Sequence, residues 1–165
     1  MFHIDKTSLP LCLFDYNTIL CIILLLRGEK TMYILTVEDY ISAAHQLIGY
    51  RGRCENIHGH NWKIEISVCG EKLNDIGIMI DFHDLKAMIK EVLDEFDHKN
   101  LNDVDVFKSL NPSSEHLSRI IYENMSIKLG QYSKDNNTEI KLLSIVVWES
   151  ATCRSAYQNN FLNST

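Results

Sequence analysis

The chain has 165 residues, 45% of them hydrophobic and 23% charged, with 2 prolines and a net charge of −6. That is ordinary globular composition at single-domain length, which disfavours collagen-like, coiled-coil and disordered classes. The acidic balance argues against non-specific nucleic-acid binding, which rests on neutralising phosphates, and gives no attraction to anionic lipid, so neither partner is expected.

Residues 1–31 read differently from the rest. Ile19 to Leu26 is an unbroken apolar run of eight residues, whereas a membrane-spanning helix needs about 20. The start, Met1-Phe2-His3-Ile4-Asp5-Lys6, lacks the basic character of a signal peptide. Arg27-Gly28-Glu29-Lys30 back-translates to a purine-rich stretch similar to a bacterial ribosome-binding site. The expectation is therefore that translation starts at Met32, that 1–31 is a non-native extension, and that 32–165 is one domain. Peptides from 1–31 in the native protein would refute it. Lys6, Arg27 and Lys30 balance Asp5, Asp15 and Glu29, so the charge argument holds without the segment.

From Met32 onward the elements follow in order. Tyr33, Leu35, Val37, Ile41, Ala43 and His45 share one parity, the period-2 signature of a strand. A glycine- and arginine-containing loop, 49–53, leads to a second strand from His58 to about Gly70. Its inward parity is His58, His60, Trp62, Ile64, Ile66 and Val68; Asn61, Lys63, Glu65, Ser67 and Cys69 face outward. Phe82, Leu85, Ile89, Val92, Leu93 and Phe96 recur at helical spacing behind the N-cap Asp81. Asn111-Pro112-Ser113-Ser114 opens a second helix with Leu117, Ile120, Ile121 and Met125 on its apolar side. Asp135-Asn136-Asn137 is a turn cluster, Ile140 to Trp148 a third strand, and Ala151 to Tyr157 a fourth.

The order β-β-α-α-β-β is an α+β arrangement. Two helices cover one face of a four-stranded sheet, which leaves edges that an oligomer would join. Five cysteines (Cys12, Cys21, Cys54, Cys69, Cys153) without CxxC spacing disfavour a disulfide framework and fit a reducing, cytoplasmic compartment.

His58-Gly59-His60 sets two imidazoles on one face of one strand, and a hairpin over loop 46–57 brings His45 near them. Three imidazoles without an obvious fourth ligand match a catalytic zinc with an open position. Hydrogen-bonded core histidines are the alternative, though two desolvated imidazoles each need a partner. Cys54 precedes His58 by four residues; it is either a small loop residue or, beside a dication and Arg53, a thiolate nucleophile or base. Asp97-His98 is either a helix C-cap or a pair that relays a proton. Glu115 sits in a first helical turn, where carboxylates are common for dipole reasons. Glu149, ending Ile145-Val146-Val147-Trp148-Glu149, is either solvated or a ligand anchor.

Together these pieces resemble the 6-pyruvoyltetrahydropterin synthase family, in particular its bacterial 6-carboxy-tetrahydropterin branch of queuosine biosynthesis. The residues that carry the resemblance begin with Ser42-Ala43-Ala44-His45, Cys54-Glu55-Asn56-Ile57-His58-Gly59-His60 and Asp81-Phe82. They continue with Asp97-His98-Lys99-Asn100-Leu101-Asn102, Asn111-Pro112-Ser113-Ser114-Glu115 and Val147-Trp148-Glu149-Ser150. The resemblance implies the tunnelling fold, with trimers closing a β-barrel and two trimers stacked as a homohexamer. It makes His45, His58 and His60 ligands of one zinc ion per subunit and Cys54 the proton-abstracting base. Asp97 and His98 would move protons on the other side, Glu149 would grip the pterin, and Ser113, Ser114 and Glu115 would line the substrate. The implied substrate is 7,8-dihydroneopterin triphosphate; the products would be 6-carboxy-5,6,7,8-tetrahydropterin, acetaldehyde and triphosphate.

Three departures accompany it. Ile41 stands where the family has Phe, and Pro112-Ser113-Ser114-Glu115 lacks the threonine methyl. Glu55 beside Cys54 makes CxxxHGH and ExxHGH coexist, the latter like a folate-pathway branch that releases 6-hydroxymethyl-dihydropterin. Glu55 is thus a loop carboxylate or a second base. A non-catalytic pterin- or zinc-binding module is the alternative of another class. A triphosphate entering an acidic protein needs local cations, for which Arg51, Arg53 and Lys99 are the candidates.

Overall fold

The computed structural model describes residues 32–52 and 55–159. The expectations for residues 1–31, for Arg53 and for Cys54 fall outside these.

Strands β1 (Tyr33–His45) and β2 (His58–Gly70) form a long antiparallel hairpin in one uninterrupted register, from Tyr33 opposite Gly70 to His45 opposite His58. Helix α1 (Phe82–Leu93) starts at Asp81, whose carboxylate accepts from the His83 amide at 2.7 Å. Two single 3-10 turns, Leu101–Asp103 and Asp105–Phe107, lead to helix α2 (Ser114–Asp135), capped by the Ser113 hydroxyl. Strands β3 (Lys141–Trp148) and β4 (Arg154–Gln158) complete an antiparallel sheet of order β1-β2-β3-β4. The fourth strand starts at Arg154 rather than Ala151, because Ser150 to Cys153 form the turn.

Period-2 burial follows from the side-chain alternation of strands. Trp62, Ile64, Ile66 and Val68 of β2 are buried under both helices, together with Val37 and Ile41 of β1 and Ile145 and Val147 of β3. Leu85, Ile89, Val92 and Leu93 of α1, and Leu117, Ile121, Met125 and Leu129 of α2, close this single core. Phe82, expected on that apolar face, is half exposed because it opens the helix at the rim.

A second difference concerns Cys69. Parity puts it outward, yet it is buried beside the equally buried Val68. The register with β3 slips between Ser67 and Val68, so Leu142 and Ile145, three residues apart, are both inward. Parity counted through such a slip loses its meaning.

The helix-free face is polar, and one row crosses all four strands: Tyr40, Lys63, Trp148 and Arg154. The Lys63 ammonium lies 2.8 Å from Glu38 and 3.0 Å from Glu65, and the Trp148 indole donates to Glu65 at 2.8 Å. The Arg154 guanidinium stacks 4.6 Å above the Trp148 ring. Charged and aromatic groups here, rather than aliphatics, let the face stand in water without a helix layer. Among the described residues no helix is long and apolar enough to cross a membrane.

Candidate metal centre

The hairpin register brings His45 opposite His58 and Ala43 opposite His60. Because residues two apart on a strand point the same way, the three imidazoles meet at one end of the sheet. His45 Nδ1 lies 2.7 Å from the Pro112 carbonyl, and His58 Nδ1 lies 2.8 Å from the Asn56 carbonyl. A carbonyl oxygen only accepts, so both Nδ1 atoms carry the proton and both Nε2 atoms present lone pairs. Those two Nε2 atoms are 3.0 Å apart. Two facing lone pairs repel unless a proton or a cation lies between them.

His60 Nε2 is buried and has no hydrogen-bond partner among the described residues. Glu149 Oε1 stands 3.4 Å from His45 Nε2 and 3.5 Å from His60 Nε2. The four donor atoms lie within 4.8 Å of one another, a group able to hold a metal ion. Imidazole nitrogens sharing a tetrahedral zinc with bonds of 2.0–2.1 Å stand about 3.3–3.4 Å apart. The donor set and its orienting carbonyls therefore fit a divalent transition ion, with the outer hydrogen bonds such ligands use.

Burial sets the protonation as well. Desolvation pulls the His45 pKa below its ordinary value, partly opposed by the bond to Pro112, and the neighbouring His58 pulls it further down. Desolvation also lowers the His60 pKa, against the attraction of Glu149. Both rings are thereby biased to the neutral form that ligates metal. Trp62, fully buried, floors the cluster with its ring 4.9 Å from that of His45 and 5.0 Å from that of His60. Its indole donates to the Ala43 carbonyl at 3.2 Å.

Asp97 and His98 pair at 2.8 Å, and Asp97 Oδ1 also accepts from the Ser42 amide at 2.8 Å. That backbone bond, aided by His98, holds the Asp97 carboxyl below its usual range. His98 occupies the left-handed region, φ 57°, and its exposed ring shares a shallow groove with Ser42, Gly59, His60, Asn61 and Lys99. His98 thus lines the same groove as the candidate ligand His60. A non-glycine residue in that region carries strain of the kind concentrated at functional sites.

Other candidates sit less centrally. Ser113 caps α2, and Ser114 donates to Glu115 at 3.3 Å; Glu115, bonded to the helix start, is held below its usual pKa. These side chains are engaged with the helix terminus, while the carbonyl of Pro112 beside them orients His45. Glu55 and Arg51 are exposed on the loop, and Lys99 donates to the Glu95 carbonyl. The sequence pattern places no obvious fourth donor beside the three histidines. Glu149 sets a carboxylate beside the three rings, because pairing of Lys63 with Trp148 carries the end of β3 to the imidazoles. Alternation within β3 gave no signal of that meeting.

Two helices over one face of a four-stranded antiparallel sheet, with three imidazoles and a carboxylate at one end, define a tunnelling-fold protein with a candidate metal centre. The sequence profile of the 6-pyruvoyl tetrahydropterin synthase family matches residues 34–160, and the chain belongs to that family. It is 36% identical to a 6-pyruvoyl tetrahydrobiopterin synthase of Dictyostelium discoideum over 67% of this chain and 87% of that one. It is 26% identical to the 6-carboxy-5,6,7,8-tetrahydropterin synthase of Haemophilus influenzae over 77% of this chain and 99% of that one. The solved 6-pyruvoyl tetrahydropterin synthase of Caenorhabditis elegans superposes with a TM-score of 0.68 at 26% identity, covering 78% and 96% of the two chains. The chain is a lyase of the tetrahydropterin synthase kind, acting on small pterins.

Proposed function

We propose that the chain converts 7,8-dihydroneopterin triphosphate, with water, to 6-carboxy-5,6,7,8-tetrahydropterin, acetaldehyde and triphosphate, as a cytoplasmic zinc-dependent step towards queuosine. The observation that carries the metal part is the convergence of lone pairs, with both orienting Nδ1 atoms committed to carbonyls. His45, His58 and His60 hold the ion. Bound there, zinc supplies Lewis acidity that eases proton removal beside an oxygen it polarises.

The chain's own groups do the rest. Cys54, assigned from the sequence, takes the proton from the substrate side chain. Asp97 fixes His98, which moves a proton on the other side of the groove. Glu149 grips the amino-pyrimidine edge of the pterin through a charge-assisted pair of hydrogen bonds. Its place 3.4 Å from His45 and 3.5 Å from His60 supports this, since a ring held there lies beside the ligands. Ser113, Ser114 and Glu115 complete the substrate contacts, and Arg51, Arg53 and Lys99 take the triphosphate. The sheet edges formed by β4 and by β1 ahead of Ser42 support trimers joined edge to edge and paired into a homohexamer.

Two observations favour a different product. Glu55, exposed next to Cys54, favours release of 6-hydroxymethyl-dihydropterin, alone or as a second activity. The name of the Dictyostelium discoideum relative favours a pyruvoyl product that keeps the side-chain carbons. Separate Cys54→Ala and Glu55→Ala variants test the assignment. Carboxy-pterin formation should fall by roughly 100-fold or more in Cys54→Ala and persist in Glu55→Ala. Intact formation in Cys54→Ala would remove the proposed base.

A further inference from the structure

From Ser42 to Ile48, the end of β1 and the chain just after it are bonded at every second residue by one later stretch of chain. Ser42 is held by the Asp97 carboxylate at 2.8 Å and by the His98 amide at 2.7 Å. The Ala44 amide donates to the Lys99 carbonyl at 3.0 Å. Past His45, where the strand ends, the pattern continues with side chains in place of backbone. The Gln46 amide donates to Asn102 Oδ1 at 2.9 Å, and Asn102 Nδ2 donates to the Gln46 carbonyl at 3.0 Å. The Ile48 amide donates to Asn111 Oδ1 at 2.8 Å, and Asn111 Nδ2 donates to the Ile48 carbonyl at 3.0 Å.

A carboxamide offers one donor and one acceptor in a plane, as a peptide group does. Asn102 and Asn111 therefore act as two isolated peptides of a neighbouring strand that is not there. His45 lies between the residues so held, with Ala44 fixed on one side and Gln46 on the other. Its ring is held by the carbonyl of Pro112, the residue after Asn111.

From this geometry we infer that Asn102 and Asn111 are positioning residues for the metal centre, extending the β1 edge so that His45 meets His58 and His60 in one orientation. The inference rests on the metal reading of the histidine cluster. Asparagine rather than aspartate is required, because a carboxylate keeps the acceptor for the amide but turns a second acceptor towards the carbonyl. The substitution changes almost no volume; it replaces the donated hydrogen bond by a carboxylate oxygen that repels the carbonyl.

The test is the affinity of the whole chain for Zn2+, by competition with a chromophoric chelator, and the visible spectrum of the Co2+-loaded protein, which reports ligand geometry. Asn102→Asp and Asn111→Asp should each weaken Zn2+ binding by roughly 10- to 100-fold, the usual scale for groups that orient metal ligands, and should alter the Co2+ bands. The control is Asn74→Ala. Asn74 accepts from the Ile76 and Ile78 amides in a different loop, so this variant should lose stability and keep wild-type Zn2+ affinity. Wild-type affinity and spectra in both aspartate variants would overturn the inference alone. Absence of Zn2+ and Co2+ binding by the wild-type chain would overturn the metal reading and this inference with it. Should the variants not fold, hydrogen exchange on the wild-type chain decides. Gln46 and Ile48 amides should exchange as slowly as the Ala44 amide, and free exchange at both would overturn the inference.

Discussion

Trp62→Phe is the sharpest probe of how the core supports the site. Trp62 is fully buried, forms ring contacts with two of the three histidines, and donates to the Ala43 carbonyl. Phenylalanine keeps an aromatic ring on the inward parity but removes the donor and part of the volume. A void of about 40 Å³ at about 24 cal/mol per Å³ costs about 1 kcal/mol. Loss of the indole hydrogen bond to a buried carbonyl costs about 1 kcal/mol more. The metal-free variant should therefore be about 2 kcal/mol less stable, a fall of roughly 6–8 °C in Tm for a domain of this size. Urea denaturation of both proteins, metal-free and at one protein concentration, should show a lower midpoint at unchanged slope. A loss below about 0.5 kcal/mol would refute the reasoning, because a surface substitution does no less.

Two further predictions concern protons. His45 and His60 have pKa values lowered from 6.5 by burial, so below that value the unfolded chain binds protons that the folded chain resists. Stability of the metal-free protein should then rise with pH up to about 6.5 and flatten above it, since its slope follows the protons bound by the unfolded minus the folded state. A thermal series from pH 5 to 8 checks this, and a Tm that falls as pH rises towards 6.5 would contradict it. His98→Gly separates strain from chemistry: at φ 57° glycine relieves a left-handed residue, so stability should hold or rise by up to about 1 kcal/mol. Turnover should fall by roughly 100-fold or more; unchanged turnover would remove His98 from proton transfer.

Much of this is legible in the sequence itself. The inward parity of β2 and the recurrence of Leu85, Ile89, Val92 and Leu93 dictate the sheet and its helix layer, because each has one buried face. The same parity aligns His58 with His60, and the hairpin brings His45 to them. What local pattern cannot carry is the meeting of distant segments. Glu149 arrives through the pairing of β3 with β2, and that register slips, as the burial of Cys69 also records. The docking of Asp97 and His98 on Ser42 needs a left-handed histidine, a conformation no periodicity encodes. Asn102 and Asn111 stand inside the motifs that carry the family resemblance, yet their work on Gln46 and Ile48 depends on side-chain amides replacing a strand.

The central claim is tested most directly by supplying the zinc-loaded wild-type chain with 7,8-dihydroneopterin triphosphate and identifying every product by mass. The account predicts 6-carboxy-5,6,7,8-tetrahydropterin with acetaldehyde and triphosphate in equal amounts. A pterin that keeps its three-carbon side chain, or 6-hydroxymethyl-dihydropterin without any carboxy product, would contradict it.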